Sequence, residues 1–280
     1  MTHARRCPWN PPGTGKIAAM TAPRPHTGFA YLDEPQGPIA FAHRGGATHP
    51  DVTSLENTMA AFRHAVDLGY RYLETDVHVT SDGVLLAFHD PVLDRVTDGT
   101  GEVLSLSLEE VRQFRVGGQE PVPTFTELYD AFPDARFNID LKSAGAGAVL
   151  AEFIVRANAW DRVLVGSFER ARLHEFRRLT GGRVATSAHP AEVAAFLTAP
   201  GPALPKAPVA LQIPRRRGPL VLVTPRLLRR AHAKGLHVHV WTINDPTQMH
   251  ELLDLGVDGL ITDRTDLLKQ VLLDRGEWQP

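Results

Sequence analysis

Glu74 and Asp76 lie two residues apart in the run Tyr72-Leu73-Glu74-Thr75-Asp76-Val77. In an extended chain they share one face, with Leu73 and Val77 on the other. The run Phe137-Asn138-Ile139-Asp140-Leu141-Lys142 repeats the pattern, grouping Asn138, Asp140 and Lys142 and turning Phe137, Ile139 and Leu141 away. Three carboxylates meeting in a partly dry cavity repel one another and lose hydration, unless a cation neutralises them or some take up protons. A bound divalent ion is the simpler solution, and an all-oxygen ligand set suits Mg2+ or Ca2+ with positions left open. The competing reading is a set of rim salt bridges to Lys142, Arg44 and Arg71. His43 ends an apolar run that begins at Ile39, and His239 shares a face with Trp241, so imidazole and acid gather together.

Strands must hold these side chains. From Ile39 onward, short apolar runs alternate with amphipathic stretches ended by glycine or proline, the pattern of repeated βα units. The expected strands span 39–43, 70–77, 137–142, 163–167, 184–187, 209–213, 236–241 and 259–262. Between them the first helix has Thr53 and Glu56 as a capping box, Met59, Phe62 and Val66 as an apolar stripe, and Gly69 as its stop. Further stripes occupy 148–156, 169–179, 225–234, 246–255 and 266–273. Strands alternating with helices favour the α/β class and a closed (β/α)8 TIM barrel, with chemistry at the strand C-termini. Residues 91–121 are too many for one connection and are expected as a small insertion beside the mouth, after the second strand and a strand or hairpin arm at 85–89. Residues 1–38, rich in proline and glycine, are expected as an irregular or disordered leader, and 39–280 as a single barrel domain.

Composition removes other classes. With 30 Lys plus Arg against 32 Asp plus Glu, no global field draws the chain to nucleic acid or an anionic membrane. The single cysteine, Cys7, rules out an intrachain disulfide framework. No apolar run reaches the roughly 20 residues of a membrane span, and no export signal is visible, so a cytoplasmic protein without stable membrane insertion is expected. Pro11-Pro12-Gly13-Thr14-Gly15-Lys16 imitates part of a nucleotide-binding P-loop, but Asn10 replaces the first glycine, Ile17 replaces the hydroxyl residue, and no strand precedes it.

The chain resembles the glycerophosphodiester phosphodiesterase family from Ala40 to about Leu272. The carrying segments are Ala42-His43-Arg44-Gly45-Gly46, Glu56-Asn57-Thr58, Leu73-Glu74-Thr75-Asp76-Val77, His89-Asp90, Leu93-Asp94-Arg95, Asp140-Leu141-Lys142, Val240-Trp241-Thr242-Ile243-Asn244 and Gly256 through Asp263. The resemblance implies metal-dependent hydrolysis of a small glycerophosphodiester to glycerol 3-phosphate and an alcohol. It implies His43 and His89 as general acid and base, with Glu74, Asp76 and Asp140 holding one Mg2+ or Ca2+. Imidazole suits those roles because it titrates near neutrality. The family's nucleophile is thought to be the substrate's own glycerol hydroxyl, which gives a cyclic phosphate before water completes hydrolysis. Arg44 and Lys142 would neutralise phosphoryl oxygens, Glu56 would sit behind them or bind glycerol, and Trp241 would wall the glycerol side.

Two features depart from the family pattern. Asp140 stands where glutamate is usual, and the stretch between Gly46 and Glu56 is long, placing His49 and Asp51 on an enlarged loop at the mouth. His78, His237 and His239 are expected as structural histidines, and the run Arg215-Arg216-Arg217 as a solvated loop. The alternatives are a phospholipase D-like enzyme acting on lysophospholipid or sphingomyelin, and a barrel that binds phosphodiesters without cleaving them. The paired histidines argue against the latter.

Overall fold

The computed structural model describes residues 24–198 and 207–280. Cys7 and the P-loop-like segment lie outside the described residues. In chain order the strands are β1 (Ile39–His43), β2 (Tyr72–Val79), β3 (Leu85–Ala87), β4 (Arg115–Val116), β5 (Glu120–Pro121), β6 (Arg136–Leu141), β7 (Val163–Gly166), β8 (Ala185–Thr186), β9 (Ala210–Pro214), β10 (Arg216–Arg217), β11 (Leu220–Val221), β12 (His237–Trp241) and β13 (Gly259–Thr262). The helices are α1 (Ala30–Asp33), α2 (Met59–Asp67), α3 (Leu108–Val111), α4 (Phe125–Ala131), α5 (Ala146–Ala157), α6 (Arg170–Leu179), α7 (Pro190–Thr198), α8 (Pro225–His232), α9 (Pro246–Leu255) and α10 (Thr265–Arg275).

Eight parallel strands run in the order β8-β7-β6-β2-β1-β13-β12-β9, and a parallel bridge between Ser187 and Ala210 brings the two ends together. The result is a nearly closed (β/α)8 barrel, as the alternation of elements requires. Outward residues such as Leu73, Val77, Phe137 and Leu141 pack with Phe125, Leu150, Phe153 and Phe176 of the surrounding helices. Inward, Phe41, Tyr72, Leu164, Ala210 and Ile261 fill the lower barrel. Above them Gln212 Nε2 donates to Asn138 Oδ1 at 3.2 Å and lies 3.3 Å from Nδ1 of buried His239, so polar side chains are linked across the lumen.

Three details differ from the sequence reading. Part of the expected leader is packed: Tyr31 and Leu32 of α1 are buried in the lower barrel, and Tyr72 donates its hydroxyl to the Tyr31 carbonyl at 2.8 Å. The cap of α2 is Thr58, whose side chain accepts from Ala61 N, instead of Thr53 with Glu56. Thr53 donates to the His49 carbonyl and Glu56 binds two arginines, so the helix begins later. Three further short helices lie outside the expected stripes: α3 and α4, with capping boxes Ser107–Glu110 and Thr124–Glu127, and α7, which is apolar on most sides. The insertion is folded around a small core of Leu86, Phe88, Leu93, Val103, Val111 and Val116, beside the β2–β3 arm.

Candidate active site

At the C-terminal ends of the strands lies an open cavity of about 640 Å³, within the size range of small-molecule sites. Its lining includes His43, Arg44, Glu74, Asp76, His89, Asp140, Lys142 and Trp241, which are eight of the nine residues expected there. Glu56 is the ninth and stands behind Arg44. Parallel register accounts for the grouping, because His43 pairs with Glu74, Glu74 with Asn138, and Asp76 with Asp140.

Among the three acids, cations of the chain occupy the spaces. Lys142 Nζ lies 3.0 Å from Asp76 Oδ1 and 2.7 Å from Asp140 Oδ2. Arg44 Nε lies 3.0 Å from Asp76 Oδ2, and Arg44 N donates to Glu74 Oε2 at 3.1 Å. Burial pushes the Glu74 carboxyl up, Asp76 adds repulsion, and nearby His43, Arg44 and Lys142 only partly offset this, leaving it at about 7. Burial likewise raises Asp140, which Lys142 does not fully compensate. Asp76 is held below its usual range because Lys142 and Arg44 outweigh its burial. Asp140 Oδ1 is buried without a hydrogen-bond partner. That orphaned oxygen, with an all-carboxylate donor set, fits a hard divalent cation.

Each of the two cavity histidines has its own acid. His43 Nδ1 is 2.6 Å from Asp263 Oδ1, and its Nε2 lies 3.8 Å from Glu74 Oε2. Burial pushes this imidazole down, but Glu74 and Asp263 outweigh the burial and hold it above its usual value. His89 Nδ1 is 2.5 Å from Asp90 Oδ1. Arg95 Nε donates to Asp90 Oδ2 at 2.5 Å, and Arg95 Nη2 donates to Glu56 Oε1 at 2.6 Å. Glu56 in turn accepts from Arg44 Nη1 at 3.1 Å, so a chain of charges runs from His89 to Arg44. Arg95 draws Asp90 down to about 2 against a burial effect that raises it, keeping the carboxylate ionised.

The turn after β1 is built for this. Arg44 adopts φ +50° and is followed by Gly45 at +84°, where a Cβ would meet the Ala61 backbone at 2.8 Å. Asn57, also at positive φ, accepts from Thr75 Oγ1 at 2.8 Å and donates to Asp76 Oδ2 at 3.2 Å.

The description of the matching family model is "Glycerophosphoryl diester phosphodiesterase family", and the match spans residues 43–267, most of the chain. The chain belongs to that family. A Mycobacterium tuberculosis protein named "Probable glycerophosphodiester phosphodiesterase 2" is 43% identical over 253 residues, covering 86% of this chain and 93% of its own length. A Silicibacter pomeroyi structure named "Putative glycerophosphoryl diester phosphodiesterase" superposes with TM-score 0.72 at 23% identity, over 89% of this chain and 98% of that one. The structure of an Oleispira antarctica phosphodiesterase in complex with the product sn-glycerol-3-phosphate matches with TM-score 0.69 at 22% identity, over 84% and 98% of the two chains. These two likenesses bear on the fold.

Within this family member, sequence reasoning missed Asp263, Asp90 and Arg95 as partners of the cavity residues. Asp90 was legible as the acid next to His89, and Arg95 as part of the same motif. Asp263 carried no local signal pointing to His43. His78 and His239, expected as structural, are both buried: His78 Nε2 lies 3.0 Å from the His89 carbonyl, and His239 is enclosed by Phe41, Gln212 and His237. Of the arginine run, Arg217 reaches the cavity while Arg215 pairs with Glu251 at 2.7 Å. No helix among the described residues is long and apolar enough to cross a membrane.

Proposed function

We propose that the protein hydrolyses glycerophosphodiesters to glycerol 3-phosphate and an alcohol, using His43 and His89 as an acid–base pair at a divalent-metal centre. The observation that carries this reading is the pair itself: two imidazoles in one cavity, each with Nδ1 against a carboxylate. A carboxylate at Nδ1 holds the ring with its Nε2 free to exchange a proton. One imidazole takes the proton of the attacking hydroxyl, and the other delivers a proton to the departing alkoxide. Arg44 and Lys142 stand ready to meet the non-bridging phosphoryl oxygens. Glu74, Asp76 and Asp140 would hold the ion, which supplies positive charge to the phosphoryl group when bound. Trp241, edge to face with Phe168 at 5.9 Å, forms an apolar wall for the organic part of the substrate.

The test is release of glycerol 3-phosphate from glycerophosphocholine, glycerophosphoethanolamine and related diesters by the purified protein with Mg2+ or Ca2+. Activity is expected to disappear with EDTA and return with metal; no release across the panel and both metals sinks the reading. A phospholipase D-like action has one observation in its favour. Phe168 and Leu220, 58% and 60% exposed, border the same cavity and offer apolar surface to an acyl chain. Lysophosphatidylcholine in the same panel, with free choline as readout, separates the two.

A further inference from the structure

We propose that His49, Asp51 and His64 form a second metal site, suited to a borderline transition ion such as Zn2+, where the β1–α2 loop meets α2. His49 caps the 3-10 turn Pro50–Val52 in that loop, Asp51 lies within the turn, and His64 projects from α2. One ligand atom from each residue lies within 4.8 Å of the other two. His64 Nε2 is 3.5 Å and His49 Nδ1 is 4.0 Å from Asp51 Oδ2. A tetrahedral ion with bonds of about 2.0–2.1 Å spaces its ligand atoms about 3.3–3.4 Å apart, so His64 Nε2 already stands near that spacing from Asp51 Oδ2 while His49 Nδ1 must move inward.

The surroundings agree with this assignment. The two rings stand 4.2 Å apart, which holds both imidazoles beside one carboxylate. His64 Nδ1 is buried without a partner, leaving Nε2, on the Asp51 side, as the atom available for a ligand. The Asp51 side chain is 73% exposed, giving the ion an entry path and room for water in its remaining position. Binding at His49 Nδ1 displaces only the 3.1 Å hydrogen bond donated by Asp51 N. The second cluster of this kind, His174, His189 and Glu192, lacks such freedom: Arg177 binds both Glu192 oxygens, at 2.6 and 3.1 Å. Two imidazoles and a carboxylate favour Zn2+ or Co2+ over Mg2+ and Ca2+, opposite to the all-carboxylate centre in the barrel. An ion here fastens to α2 the loop that starts at Arg44 and ends at Glu56, without touching either.

The experiment uses the untagged full-length protein, saturated with Mg2+ and then titrated with Zn2+ by calorimetry and with Co2+ by visible absorption. Wild type is expected to take up one imidazole-ligated ion and to melt at higher temperature with Zn2+. Removing even a group behind a metal ligand costs about 10–100-fold in affinity, so Asp51→Asn and His64→Gln should each weaken binding by more than about tenfold. Both should also lose the Zn2+-dependent rise in melting temperature. Asp51→Asn alters an exposed side chain, so it keeps the test valid if His64→Gln folds poorly. Equal Zn2+ affinity in wild type and Asp51→Asn, or no Zn2+ uptake by wild type, overturns the proposal.

Discussion

Replacing Asp263 with asparagine isolates the protonation state of His43 with little change in shape. Asn244 fixes the outcome. Its Nδ2 donates to Asp263 Oδ2 at 2.9 Å, while its Oδ1 accepts from Asp263 N at 2.9 Å and Thr262 Oγ1 at 3.0 Å. Asn244 therefore cannot turn over without losing two hydrogen bonds, and residue 263 must keep an oxygen toward it. In Asp263→Asn the amide NH2 then occupies the place of Oδ1, 2.6 Å from His43 Nδ1, and donates to it. That bond needs a lone pair on Nδ1, so the ring's proton sits on Nε2.

His43 in this tautomer serves neither role. As a base it lacks a free Nε2 lone pair, and as an acid it would have to carry protons on both nitrogens against the new amide donor. Loss of one acid–base group costs about 10² to 10⁴ in turnover, or about 2.7 to 5.4 kcal/mol on the barrier. KM should change little, since Asp263 is absent from the cavity lining. Asp263→Ala should be the milder variant, because the ring keeps its choice of tautomer. The assay is steady-state release of glycerol 3-phosphate from glycerophosphocholine at saturating metal, with melting temperature as the check on folding. Turnover of Asp263→Asn within about threefold of wild type, or below Asp263→Ala by nothing, would refute the reasoning about His43.

Arg95→Met cuts the link between the Asp90–His89 pair and Glu56, and Arg95 is half exposed, so the protein should fold while kcat/KM falls by on the order of tenfold to a hundredfold through misplacement. A fall of less than threefold on that assay would place Arg95 outside the site's positioning. Asp258 is pushed up by burial, but its bonds with His232 and Val238 N and the charge of His237 outweigh this, so its folded pKa is depressed. A depressed carboxylate adds stability above its unfolded pKa of about 3.9 and loses it as pH falls through the folded value. Urea unfolding should therefore show Asp258→Asn less stable than wild type by about 3–5 kcal/mol near neutrality, with the gap narrowing below about pH 4. A gap that stays constant down to pH 3 would show that the charge is not responsible. Gly45→Ala puts a Cβ 2.8 Å from the Ala61 backbone at φ +84°, and should cost about 2 kcal/mol or more, lowering the melting temperature by roughly 4–8 °C.

Residues whose placement follows from a two-residue period were legible before any coordinates. Glu74, Asp76, Asn138, Asp140 and Lys142 share the lumen because strands covered on both faces leave polar side chains one direction to point. Local competition was less legible. Glu56 has the spacing of a helix cap, yet its carboxylate pairs with Arg44 and Arg95, and the cap passes to Thr58. The packing of Tyr31 and Leu32 was hidden for a related reason, since nothing in a short segment before the first strand signals the open lower end of a barrel.

The pairing of His43 with Asp263 is the instructive failure. These residues are 220 positions apart and meet only because β1 lies beside β13, so that the turn after the last strand faces the end of the first. An open sheet with the same strands would still group Glu74, Asp76 and Asp140 through the β2–β6 register, and His89 would keep its own neighbour, Asp90. It would lose the carboxylate that sets the tautomer of His43. Neighbouring strands are therefore enough to assemble the acids, whereas one of the two imidazoles depends on the first and last strands meeting. For this reason changes at the Ile39–Gly259 end of the β1–β13 seam, in the lower barrel, should reduce turnover before they reduce metal binding.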